Sequence, residues 1–204
     1  MAYLQPRVAQ NSLMRKVKNG RIIQDTGTGG AYPVSTDRII WATAAWELYK
    51  TTGDQEWLKN AYTIIKNSAD DDAENVYDQA TGLVKGESSF LDWREQTYPV
   101  WMQPEDIFES MNLGTNAVHY HANVVLSAMA LLLNDKAASL KYKTKAEKIK
   151  AGINKYLWMN DKGYYGQYLY GRNFRMLSLR SETLGEALCV LFSIPDDSHT
   201  AKSG

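Results

Sequence analysis

Residues 36–51 read TDRIIWATAAWELYKT, and this stretch decides the fold class. Ile39, Ile40, Trp41, Ala42, Ala44, Ala45, Trp46, Leu48 and Tyr49 cover nearly the whole circumference of a helix, and a helix that is apolar all round is a buried one. Ser35 stands where an N-cap belongs, and Gly53 stops the helix. The next segment, from Gln55 to about Ala69, has another character. Trp57, Leu58, Ala61, Tyr62, Ile64 and Ile65 form one stripe, with Glu56, Lys59, Asn60 and Lys66 opposite, as on a surface helix. The Asp70-Asp71-Asp72 run that follows reads as a solvated helix end without a calcium-loop pattern.

The alternation then repeats. From Asn116 to Leu133 the chain is apolar nearly all round, whereas from Ala138 to Trp158 a stripe of Leu140, Tyr142, Ala146, Ile149, Ile153 and Leu157 faces a lysine-rich side. A third all-round apolar helix opens at Ser181. Inner and outer helices in strict alternation imply an all-α toroid or solenoid of αα-hairpins. After each outer helix comes an Asp, a Gly and then two apolar or aromatic residues (YDQATGLVKG at 77–86, WMNDKGYYGQ at 158–167), a tight turn within a small β-hairpin. The whole chain therefore reads as one partial domain. Residues 1–34 form an extended lead-in, 36–69 hairpin one, 86–114 a long linker, 116–158 hairpin two and 181–193 the start of hairpin three.

Composition narrows the function. The 204 residues are 44% hydrophobic, an ordinary globular balance, and 23 basic residues offset 23 acidic ones. A zero formal charge argues against a nucleic-acid partner held by phosphate contacts. No apolar run reaches the roughly 18 residues of a membrane span, and the N-terminus lacks an apolar signal core. The single cysteine, Cys189, makes neither an internal disulfide nor a cysteine zinc site. His119 and His121 are two apart on a helix and cannot share a ligand face, and no metal or cofactor is expected. GTGGAY at 27–32 lacks the third glycine and the βαβ setting of a dinucleotide loop. Thirteen Tyr and six Trp against four Phe favour surfaces that are apolar on one side and wet on the other, as sugar grooves are.

Two constellations carry candidate chemistry. The linker GESSFLDWREQTYPVWMQPED (86–106) gathers Glu87, Asp92, Trp93, Arg94, Tyr98 and Trp101 without helical period. A carboxylic acid that protonates a leaving oxygen, beside aromatic platforms for sugar faces, is what glycoside chemistry requires. The alternative is a structural linker whose Trp residues plug the gap between helices. The second constellation lies at the starts of the inner helices: Asp37 and Arg38, His119, and Arg180 with Glu182. If those helices run parallel, these residues line one end of the bundle. Helix capping is the competing explanation for Asp37 and Glu182.

YPVSTDRIIWATAAWELYKTTGD, YDQATGLVKGESSFLDWREQTYPVWM and LRSETLGEAL together resemble the six-hairpin glycosidase superfamily: trehalase-like and glucosidase-like enzymes and Bacteroides-type bacterial glycoside hydrolases. In trehalases the acid follows a Glu-Ser pair and a Trp, and Glu87-Ser88 before Leu91-Asp92-Trp93-Arg94 is similar with altered spacing. The resemblance implies an (α/α) six-hairpin toroid with its site in a funnel where the long linkers lie. It also implies inverting hydrolysis of an oligosaccharide or glycoside, with Asp92 as general acid and a periplasmic or extracellular address. Asp37, Arg38, Glu87, Trp93, Arg94, Tyr98, Trp101, His119 and Arg180 would bind the carbohydrate. About two and a half of six hairpins are present, so the chain reads as part of a longer enzyme, expected to self-associate or to meet the missing half. The family base usually lies in a later hairpin; within this chain Glu182 is the candidate. A sugar 2-epimerase-like isomerase and a non-catalytic carbohydrate-binding remnant remain the rival readings.

Overall fold

The computed structural model describes residues 5–23, 36–88 and 98–196. The 27–32 glycine-rich segment, Ser35, Asp92, Trp93 and Arg94 lie outside the described residues. The first hairpin begins with a 3-10 turn at Asp37–Ile40 that continues into α2 (Trp41–Thr52), preceded by α1 (Pro6–Met14) and a short ribbon of β1 (Val17–Lys18) and β2 (Arg21–Ile22). Gly53, at φ 67°, closes α2, and Asp54 opens α3 (Gln55–Asn75) by accepting the Glu56 and Trp57 amides. The two helices are locked by Trp57, whose indole N–H donates to the Ala45 carbonyl and whose ring lies 5.9 Å from Trp41.

The second hairpin repeats the plan. α5 (Leu113–Leu132) runs through the centre, and Asp135 caps α6 (Lys136–Tyr156), which returns along the outside. The turn between them needs a left-handed residue, supplied by Asn134 at φ 62°. α5 touches α2, α3, α6 and the last helix, α7 (Thr183–Leu191), which makes it the spine of the domain. Leu113, Ala117, Val118, Ala122, Val125, Leu126 and Met129 are all buried on it. The expected layering holds: α2, α5 and α7 are inner, α3 and α6 outer. α4 (Pro104–Glu109) is a single short helix in the long linker.

Both foreseen hairpins form. β3 (Tyr77–Asp78) pairs with β4 (Leu83–Val84), and β6 (Trp158–Met159) with β7 (Tyr164–Tyr165). A further sheet was not foreseen: β5 (Met111–Asn112) pairs with β8 (Tyr168–Tyr170), which pairs with β9 (Met176–Leu177). It stitches the two long linkers together ahead of α5.

The acidic run at the end of α3 requires a correction. The helix continues through it to Asn75, and each aspartate has its own cationic partner. Asp71 meets exposed Arg21 at 2.9 Å. Asp70 takes Lys66, Lys141 and Lys145 at 3.0–3.3 Å and so ties α3 to α6. Burial works against its charge, but the hydrogen bonds from Lys141 and Lys66 hold the carboxyl down at about 2. Asp72 is buried and pairs with buried Arg38 at 2.7 Å. Helical geometry turns Asp72 inward while Asp70 faces α6 and Asp71 faces Arg21, which a reading of the run as one charged block misses.

The inner helices are covered on one flank only. Val124, Leu131 and Leu132 of α5 and Leu184, Val190 and Leu191 of α7 are exposed. Among the described residues no helix is long and apolar enough to cross a membrane.

Candidate functional site

The N-terminal turn of α5 organises one end of the bundle. Asn116 reads both edges of Val84, accepting from its amide at 2.7 Å and donating to its carbonyl at 3.0 Å. Asn112 donates to the Gly86 carbonyl at 2.8 Å, and Thr115 to that of Glu87 at 3.3 Å. Three polar side chains at one helix start thus hold the beginning of the long linker. Thr36 joins the same cluster: its hydroxyl donates to the Lys85 carbonyl, and its own carbonyl accepts from His119 Nε2 at 2.9 Å. On the other side the Leu113 amide donates to the Gln167 carbonyl, and the Gln167 amide to that of Arg180. Glu182 follows where α7 meets Leu113.

The structure therefore brings the Thr36–Asp37 segment, Glu87, Tyr98 and the Arg180–Glu182 segment to the start of α5. Asp37 and Glu87 are buried there. Tyr98 accepts from the Ser88 amide at 3.2 Å and faces Asn112 Oδ1 at 3.4 Å. Burial, with the nearby Glu87 charge, pushes its phenol far above the usual tyrosine range. Ser88 Oγ and Gln167 Oε1 are buried without a hydrogen-bond partner among the described residues. Such atoms have unused hydrogen-bonding capacity for a polar ligand or water.

Arg38, His119 and Glu182 do other work than lining a funnel. Arg38 points toward the outer layer: Nε donates to the Ile22 carbonyl at 3.0 Å, and the guanidinium pairs with Asp72. Burial lifts the Asp72 carboxyl to about 6 even against that arginine. The Glu182 carboxylate is bound by its own helix, Oε1 accepting from Leu184 N at 2.8 Å and Oε2 from Gly185 N. It is an N-cap with both oxygens engaged.

His119 is buried, and its Nε2 must carry the proton because a carbonyl only accepts. Burial pushes its pKa down to about 3, helped by Arg38 and opposed by the Thr36 hydrogen bond. His121, stacked flat on Phe192 at 4.0 Å, is pushed down by burial to about 4. The unfolded chain binds these protons near pH 6.5. Stability from the neutral histidines is therefore full above pH 6.5 and is lost as pH falls toward their folded values. Asp72 acts oppositely between about pH 6 and 4. His119→Gln should flatten the fall of the melting temperature between pH 6.5 and 4 relative to the parent; parallel profiles would remove His119 as its source.

Beside the α5 end lies a trough of about 940 Å³, lined by Tyr98, Val100, Tyr168, Tyr170, Leu179 and Arg180. Tyr98 and Tyr168 meet at a tilt with ring centres 5.4 Å apart, and half-exposed Trp101 lies 6.1 Å from Tyr170. Tyr168 and Tyr170 escaped the sequence reading. Their two-residue spacing in a strand was the available signal, hidden because β8 pairs only across linkers. A second cavity of about 360 Å³ opens between α3 and α6 over Asp72, His119 and Asn123 and reaches Val84, which Asn116 holds. Among the described residues no cluster of His, Cys, Asp or Glu could hold a metal ion.

Comparison with known proteins adds three findings. The family model described as the bacterial alpha-L-rhamnosidase six-hairpin glycosidase domain matches residues 22–202. No curated protein sequence matches. Solved structures share the fold at low identity. A GH78 family rhamnosidase of Bacillus sp. GL1 superposes with a TM-score of 0.71 at 15% identity, over 97% of this chain and 20% of that one. A GH63 mannosylglycerate hydrolase from Thermus thermophilus gives 0.65 at 14%, over 96% and 62%. A sugar epimerase from a ruminal bacterium gives 0.53 at 15%, over 88% and 40%. The chain thus spans between a fifth and about three-fifths of these proteins.

Proposed function

The chain belongs to the bacterial α-L-rhamnosidase six-hairpin glycosidase family, and from that premise we propose that it forms part of the toroid of a glycoside hydrolase that removes α-L-rhamnosyl units. The match over residues 22–202 carries this reading. The fold alone does not, since hydrolases and an epimerase share it. The site is the α5 end of the bundle, with the linker that holds Glu87 and Asp92. Asp92 is the general acid that protonates the leaving oxygen, and hydrolysis proceeds with inversion. Trp93, Arg94, Tyr98, Trp101 and Arg180 contact the sugars, with Asp37 and Glu87 on the wall. The general base comes from another hairpin, because Glu182 is engaged as a cap. The open flank of α5 and α7 is where further hairpins, or a second copy, would pack. A periplasmic or extracellular address goes with this reading.

The state of His119 weighs against an epimerase. A neutral histidine held on a carbonyl, with a pKa near 3, is a poor acid or base near pH 7. The experiment is release of 4-nitrophenol from 4-nitrophenyl α-L-rhamnopyranoside by the full-length protein. Turnover supports the reading. Binding without turnover indicates a carbohydrate-binding module, and C2 isomerisation of free sugars an epimerase; either result overturns it.

A further inference from the structure

Arg180 presents a cation with no counter-charge among the described residues. Its main-chain carbonyl is pinned by the Gln167 amide at 2.8 Å, while its side chain lies exposed along the tyrosine trough. Its guanidinium has no hydrogen-bond or ion-pair partner among the described residues. The nearby acids are engaged elsewhere. Glu182 caps α7, and Glu186 accepts from the Tyr165 amide at 2.7 Å and from the Ser181 hydroxyl. A planar fork with its donors unused is matched by a carboxylate, which it can grip through two parallel hydrogen bonds.

The rest of the trough defines the scaffold that should carry that carboxylate. Tyr168 and Tyr170 meet edge to face at 5.8 Å, and Tyr98 extends the surface toward Ser88 and Asn112. Tyr168 is buried and the Tyr98 hydroxyl is taken by Ser88 and Asn112, so these two build the floor, and partly exposed Tyr170 is the ring that offers an apolar face to the C–H side of a sugar. The volume of about 940 Å³ suits a ligand of one or two sugar rings.

We propose that the Tyr98–Tyr168–Tyr170 trough is a subsite for an acidic sugar, a uronate residue whose carboxylate is held by Arg180. This rests on the glycosidase reading only for its place in catalysis: the uronate would be the unit that leaves when the rhamnosyl bond is cut. Neutral sugars would stack on Tyr170 in the same way but leave the guanidinium unmatched.

The test compares methyl β-D-glucuronide with methyl β-D-glucoside, titrated into the protein by calorimetry at low salt, and rhamnosyl-glucuronate with rhamnosyl-glucose of one linkage as substrates. The glucuronide should bind at least about tenfold more tightly, as expected for one charge-assisted fork. Arg180→Gln should reduce the preference to near unity, and Tyr170→Ala should weaken both ligands alike. Equal affinity for the two methyl glycosides, no binding of either, or a preference that survives Arg180→Gln overturns the proposal. If the preference holds while 4-nitrophenyl rhamnoside is untouched, the acidic-sugar site stands and the hydrolase reading falls. If the rhamnoside is cut and both disaccharides turn over equally with no binding preference, the reverse follows.

Discussion

Replacing Arg38 by methionine should lower the free energy of unfolding by about 3–5 kcal/mol, the usual cost of removing one partner from a buried ion pair. Arg38 and Asp72 are both nearly inaccessible and 2.7 Å apart. Without the guanidinium, Asp72 must stay protonated or carry an unpaired charge in an apolar setting. Its carboxyl is already raised to about 6 with arginine present, so the variant's native state holds the proton to higher pH still. A raised folded pKa means stability falls as pH rises through it. The deficit should be largest near pH 8 and shrink by pH 5. Urea unfolding at the two pH values measures it. The double variant Arg38→Met/Asp72→Asn should recover much of the loss, because no charge remains to be buried. A single variant as stable as the parent at both pH values would show that the pair carries little weight. The effect reaches the site: Arg38 joins the Thr36–Asp37 segment, which Thr36 hooks to Lys85 and His119, to the outer helix α3.

Asp92→Asn in the full-length protein should lower turnover of an alkyl or disaccharide rhamnoside by about 10²–10⁴-fold, the range supplied by a positioned general acid. The chemistry sharpens this expectation. A sugar alkoxide leaves poorly without a proton, whereas 4-nitrophenolate leaves well unaided. The loss should therefore be much smaller for the aryl rhamnoside than for the disaccharide, with an unchanged melting temperature. Equal losses on both substrates would indicate a binding or structural role for Asp92, and near-normal activity on both would remove it from the mechanism.

The layering was legible because burial acts on whole helix faces. Trp41, Ala45 and Val125 had to be inside wherever the hairpins sat, and an Asp followed by Gly before an aromatic pair marks a turn by local sterics alone. Helix ends were less legible. α5 starts at Leu113 rather than Asn116, because Asn112 and Asn116 reach back to the linker and extend the helix by a turn. Long-range polar contacts were not legible. Nothing near Asp72 in sequence announces Arg38, 34 positions away, and nothing near Met111 announces β8. The candidate site was legible as a set of segments. Which members turn toward the trough depended on partners: Glu182 turned to its own helix, His119 to Thr36 and Arg38 to Asp72, whereas Tyr98 and Arg180 came to the same trough.

Inverting hydrolysis of a rhamnosyl bond is the central claim made for this domain. Proton NMR of the first sugar released from an α-L-rhamnoside by the full-length protein tests it most directly, because the anomeric signal reports cleavage and stereochemistry before mutarotation mixes the forms. The predicted result is that β-L-rhamnose appears first; α-L-rhamnose appearing first, or no free rhamnose at all, would contradict it.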